Sequence, residues 1–191
     1  MGLDMYLEKM PRYNNATVND VSKLEHYFEW KANPKAKRYT LKEWCGVEYK
    51  DVPNGKIRKF YEQFFTTKYY YWDTEKEYGH SHIIEEVGYW RKANAIHDWF
   101  VKNIQDGIDD CRYHREVTKK DLKKLMDLCH EVLCNPDVAE DRLPTRSGFF
   151  FGSTAYGEYY MEDIKNTIDI ITQILETTDF EKEMIYYVSS W

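Results

Sequence analysis

Positive charge is in deficit in this 191-residue chain: 27 Lys and Arg stand against 33 Asp and Glu, for a formal net charge of -6. That balance excludes a broad phosphate-neutralising surface, and with it direct binding of duplex DNA. Long apolar runs are missing as well. Nowhere do about 18 apolar residues follow one another to span a bilayer. The opening MGLDMYLEKM has no basic region leading into an apolar core of the secretory kind. The expectation is a soluble cytoplasmic protein. Cysteine is sparse and unpatterned: Cys45, Cys111, Cys129 and Cys134 include no CxxC pair, which argues for reduced thiols. A phosphate-binding GxxxxGK[ST] loop is also absent, so ATP hydrolysis of that class is disfavoured.

Aromatic residues, by contrast, are abundant at 17%, with 17 Tyr and 6 Trp. Such side chains carry apolar area with a polar handle, which suits core edges and binding surfaces alike. With 42% hydrophobic residues the length predicts one domain over 1–191, interrupted by an aromatic-rich insertion around 31–80.

Leu3, Met5 and Leu7 alternate with Asp4, Tyr6 and Glu8, the period of a strand with one apolar face. Val21, Leu24, Tyr27 and Phe28 keep helical spacing over 18–30, with Thr17 or Asn19 as N-cap. Thr40 predicts a short LKEWC helix closed by Gly46, and PNG at 53–55 a turn. Ile57, Phe60, Tyr61 and Phe64 predict a helix, and KYYYW at 68–72 a strand. Over 85–101, Tyr89, Ala93, Ile96 and Phe100 form a helical stripe, with Trp90, Asn94, His97 and Val101 beside it. CRYHREV at 111–117 reads as a strand. Thr118 and Asp121 then open a helix through Leu122, Leu125, Met126, Cys129 and Leu133 that stops at Asn135-Pro136. A last helix over 158–175 carries Tyr160, Ile164, Ile168, Ile171 and Leu175, and MIYYVSSW predicts a final strand. The fold class is α+β: a mixed or antiparallel sheet with strands at both termini, packed against several amphipathic helices.

Two stretches carry candidate chemistry. In LPTRSGFFFGSTAYGEYY, glycines at 148 and 152 bracket three phenylalanines, and Ser153 and Thr154 precede a helix. Amides at a helix start favour an anion, to which Arg146 and Ser147 add charge and a hydroxyl; an extended FFF turns Phe150 away from Phe149 and Phe151, toward a ligand ring. The bland alternative is a short buried FFF strand followed by an ordinary turn and cap. In EEVGYWRKANAIHDWF, Trp90, Asn94 and His97 offer a plane, an amide and an imidazole on one helical face; the alternative is a core boundary with Arg91 and Lys92 in solvent. HSH at 80–82 with Glu85 and Glu86 has divalent-metal ligand types but no strong zinc spacing, so no metal is expected. Cys129 and His130, being adjacent on a helix, point apart and make a poor nucleophile and base.

MGLDMYL, EVGYWRKANAIHDWF and LPTRSGFFFGSTAYGEYY resemble an uncharacterised family of small proteins of bacteriophage, prophage and bacterial genomes. The resemblance covers the first strand and most of 85–175. It implies a context, a phage accessory protein in the host cytoplasm that interferes with defence, and carries no residue roles over to this chain.

Two functions are therefore expected. One is binding, without turnover, of a nucleotide-like anion between Trp90, Asn94 and His97 on one side and Arg146, Ser147, Phe150, Ser153 and Thr154 on the other. The other is inhibition of a host macromolecular complex through an acidic, tyrosine-rich surface. Neither needs a cofactor, and both leave room for a homo-oligomer. Should the protein be an enzyme instead, His97 or Glu86 is the acid/base candidate.

Overall fold

The computed structural model describes residues 2–65, 69–71, 74–78, 83–111 and 114–191. Its elements, in chain order, are β1 (Asp4–Pro11), α1 (Val18–Ala32), α2 (Leu41–Cys45), α3 (Lys56–Glu62), β2 (Tyr69–Tyr71), β3 (Thr74–Tyr78), β4 (Glu85–Arg91), α4 (Asn94–Asn103), β5 (Arg115–Val117), α5 (Lys119–Cys134), α6 (Ala139–Arg142), α7 (Glu158–Thr177) and β6 (Glu183–Ser190). The fold is α+β with strands at both termini. The chain divides into two compact units, Met1–Lys9 with Glu86–Trp191 and Met10–Glu85. The second is longer than the 31–80 insertion marked in the sequence.

The larger unit is built on an antiparallel sheet ordered β4-β1-β6-β5. Leu3, Met5 and Leu7 are fully buried, as their alternation requires. The inner strand β6 is buried nearly throughout, which fits an EMIYYVSS run without alternation. Its register with β5 sets Arg115 opposite Tyr187 and Val117 opposite Ile185. α5 is opened by a complete Thr118/Asp121 capping box and buries Leu122, Leu125, Cys129 and Val132; it lies along α7, which buries Tyr160, Ile164, Thr167, Ile171 and Ile174. All of these side chains except the polar Thr167, with Ile96 and Phe100 of α4, form one core with the sheet.

The single helix expected over 85–101 is two elements. Glu85–Arg91 is strand β4, in which Gly88 and Trp90 point inward while Tyr89 and Arg91 face out. Of Trp90, Asn94 and His97 only Trp90 lies in the strand, and the other two belong to α4, so a helical spacing that runs across the junction at Lys92 imitates a single helix. Gly88 is the local clue: it costs about 1 kcal/mol inside a helix, whereas here a Cβ would come within 2.6 Å of Ile170 Cγ2. Lys92, at φ 63, ends the strand and turns the chain into α4. The strand expected over 111–117 is also shorter, Arg115–Val117; 112–113 fall outside the described residues.

In the smaller unit, α1 and α2 start with complete capping boxes, Thr17/Asp20 and Thr40/Glu43, and Gly46 closes α2 at φ 77. The Arg58 guanidinium lies 4.4 Å from the Tyr27 ring centroid, and the Tyr61 hydroxyl donates to the Pro11 carbonyl at 2.9 Å. β2 and β3 pair antiparallel. Among the described residues no helix is long and apolar enough to cross a membrane.

Candidate functional site: a cleft at two helix N-termini

The triple phenylalanine is neither a buried strand nor an alternating extended segment. It forms a turn closed by the Phe151 N–H donating to the Gly148 carbonyl at 3.2 Å. Phe151 packs inward at 6% exposure, Phe150 rests against the core, and Phe149 stands 95% exposed. The turn is held from two sides. The Leu3 N–H donates to the Phe150 carbonyl at 3.2 Å. Asn94, the first residue of α4, donates from Nδ2 to the Phe151 and Ser153 carbonyls at 2.9 and 2.8 Å, and its Oδ1 accepts the Arg146 N–H at 3.0 Å.

The expected ring plane and imidazole lie inside the fold. Trp90 is 1% exposed, and its indole N–H donates to Thr167 Oγ1 at 2.9 Å. His97 has no exposed surface: Nδ1 lies 2.7 Å from the Tyr187 hydroxyl and Nε2 3.2 Å, off-line, from Asp109 Oδ1. The carboxylate favours the Nε2–H tautomer, so Nδ1 accepts from Tyr187. Arg146 is engaged as well, with Asp109 Oδ2 at 2.8 Å and Asp98 Oδ1 at 3.4 Å; Asp98 in turn pairs with Lys102. An alternating chain of groups thus joins α4, the 143–157 loop and β6. Burial, only partly offset by Asp109, lowers the His97 pKa. The imidazole is therefore neutral in the fold; its contribution to stability is present above its unfolded value near 6.5 and is lost as pH falls below it.

Of the expected ligand contacts, Asn94 and Ser153 line a cleft of about 490 Å³, whereas Trp90, His97, Arg146, Ser147, Phe150 and Thr154 do not. Ser153 Oγ accepts the Ala155 N–H at 3.1 Å, the Thr154 carbonyl accepts the Thr145 hydroxyl at 3.0 Å, and Ser147 is exposed. The HSH candidate at 80–82 lies outside the described residues, among which no cluster of three or more His, Cys, Asp or Glu is set to hold a metal. Glu86 is exposed on β4.

Ala93 to Ile96 at the start of α4 and Gly157, Tyr159 and Tyr160 at the start of α7 line the cleft from two sides. Neither helix has a side-chain N-cap, unlike α1, α2 and α5. The first amides of a helix have no intrahelical acceptor, and the dipole makes that end positive. The Asn94 N–H is satisfied by the Lys92 carbonyl at 2.8 Å. That leaves the Ala95 and Ile96 amides on one side and those of the first turn of α7 on the other. Arg91 and Lys92 bring cations to the rim, and Glu162 and Asp163 bring carboxyls. No protein-family model matches the chain, and no curated protein or solved structure matches it either.

Tyr159, 80% exposed, is the aromatic plane at this rim. Sequence reasoning passed over it, although it neighbours Tyr160 of the buried stripe and therefore points about 100° away from it. Burial, assisted by the charge of Glu162, pushes the Asp163 carboxyl up to about 6. A carboxyl raised above its unfolded value binds its proton more tightly when folded, so stability declines as pH rises from about 4 to 6. Asp163→Asn is therefore expected to stabilise the fold by roughly 1 kcal/mol at neutral pH and by nearly nothing near pH 4. Thermal melts at the two pH values check this; parallel melts of variant and wild type at both would contradict the assignment.

Proposed function

We propose that the protein binds a nucleotide-like anionic small molecule in this cleft and holds it without turnover. Its phosphate sits at the converging starts of α4 and α7, with Lys92 as counter-charge and Tyr159 beneath the ring. The observation that supports this most is the opening of two helix N-termini, neither capped by a side chain, onto one cleft of about 490 Å³. That volume falls within the range of small-molecule sites, roughly 300–1,000 Å³. Binding is favoured over turnover because His97 is sealed against Tyr187 and burial raises the Cys129 thiol to about 12, which takes both out of reach as base and nucleophile. In the phage setting implied by the resemblance, such a protein acts by sequestering a defence signal.

Gly157→Asp tests the site. The position has an extended backbone and open space for a Cβ. An aspartate there caps α7 and is expected to raise stability by about 0.5 kcal/mol while occupying the anion's place. Calorimetry with cyclic and ADP-ribose-type nucleotides should show wild-type binding, with the ligand recovered intact after denaturation, and at least about a tenfold loss in the variant. Unchanged affinity in a folded variant would remove the cleft, and a cleaved product would remove the claim of binding without turnover.

One observation favours the second reading, binding to a host complex. Phe149 is presented to solvent on a turn that hydrogen bonds hold in place, the form of an interface anchor. On that reading Phe149→Ala abolishes co-purification of the complex and leaves nucleotide affinity untouched.

A further inference from the structure

The cations of this acidic chain are unevenly placed. Lys120, Lys123 and Lys124 follow at i, i+3 and i+4 on the exposed face of α5, and with Arg142 they line an open groove of about 650 Å³ that also contains Asp127 and Glu131. Four cations therefore meet two carboxylates in a chain whose net charge is -6. Arg142 is already occupied, donating from Nε and Nη2 to Glu131 Oε2 at 2.9 and 2.7 Å. Lys124 donates to Asn103 Oδ1 at 2.8 Å and lies 6.0 Å from the centroid of the Trp99 ring. Lys120 and Lys123 have no ion-pair partner among the described residues. Trp99 also lines the groove; it is almost fully buried, and its indole N–H has no acceptor among the described residues.

We infer that this groove docks a linear phosphate polyanion of the inorganic polyphosphate kind, with its phosphates along Lys120, Lys123 and Lys124. Ammonium groups are compact point charges suited to phosphate oxygens, and the one planar fork in the groove, which would grip a carboxylate or a phosphate bidentately, is Arg142, already held by Glu131. A base-bearing strand needs an exposed aromatic plane, and the one ring in the groove is buried. The ligand that fits is one whose charge is all in its backbone.

The test is titration of the intact protein with a short inorganic polyphosphate of uniform length at about 50 and about 200 mM salt. Wild-type protein is expected to bind, with affinity falling as salt rises. A Lys120→Gln/Lys123→Gln/Lys124→Gln variant, altered only at exposed positions, should melt like wild type, lose about tenfold or more in affinity and lose most of the salt dependence. Lys182→Gln, which removes an exposed lysine paired with Asp179, should bind as wild type does. The inference is overturned if wild type does not bind at the lower salt, or if the triple variant binds like wild type. Oligothymidylate of equal charge binding as tightly would make the occupant a single-stranded nucleic acid, and polyglutamate doing so would make it an acidic protein segment; either result also overturns it. The groove shares no residue with the nucleotide cleft, so either assignment stands or falls alone.

Discussion

Phe151→Ala is expected to lower the free energy of unfolding by about 3–5 kcal/mol, and Phe149→Ala, two residues away, to change it by less than about 0.5 kcal/mol. The contrast arises because the three phenylalanines form a turn. Phe151 packs at 5.0 Å, edge-on, against His97 and within 6.1 Å of Trp191, and Gly148 leaves room for its ring, which a Cβ at that position would meet at 2.6 Å. Truncation opens a void that neighbours tied to Asp109 and Tyr187 are poorly placed to fill. Phe149 touches chiefly Phe150 and is otherwise in water. Chemical denaturation of both variants decides the matter. Similar losses at the two positions would mean that the segment is extended and buried along its length.

Asn94→Ala ranks next, at roughly 3 kcal/mol. The side chain is buried and makes three hydrogen bonds to the loop backbone, to the Arg146 N–H and to the Phe151 and Ser153 carbonyls. Removing one partner of a buried hydrogen bond costs about 1–3 kcal/mol, and losses that share one side chain add incompletely. Asn94→Asp separates shape from donor capacity, because it keeps the acceptor for Arg146 but replaces the doubly donating Nδ2 with one oxygen facing two carbonyls. It should be at least as damaging as the alanine. If denaturation shows either variant close to wild type, the clamp carries little of the loop's stability.

Helices α1, α2 and α5 were legible because their starts are written locally, as Thr followed three residues later by an acid. α7 and β1 were legible from period, since one face of each is buried, and β6 from its run of β-branched and aromatic residues. β4 was not. The helical spacing of Trp90, Asn94 and His97 runs across the boundary between β4 and α4, and the decisive facts, the approach of Ile170 to Gly88 and the positive φ of Lys92, are tertiary and conformational. Of the residues expected to meet a ligand, Asn94 and Ser153 line the cleft and the other six do not. The sequence showed which segments hold aromatic, amide and cationic groups, but residue type does not disclose that Trp90 faces Thr167, or that Arg146 is taken by Asp109 and Asp98. The cleft itself is lined by helix starts, and main-chain amides have no signature in a sequence beyond a missing cap.

The alternating chain Lys102, Asp98, Arg146, Asp109, His97 and Tyr187 bears on how this unit opens. A loop of this length without regular structure is ordinarily among the first parts of a protein to open. Residues 143–157 are instead coupled through Arg146 and Asn94 to α4, and through His97 and Tyr187 to an inner strand of the sheet. Opening the loop strands buried polar groups on both, so it belongs to the same cooperative unit as the sheet. On the proposed reading, a ligand arriving at the cleft would meet a rim that is already ordered, and little of its binding free energy would be spent on immobilising the protein.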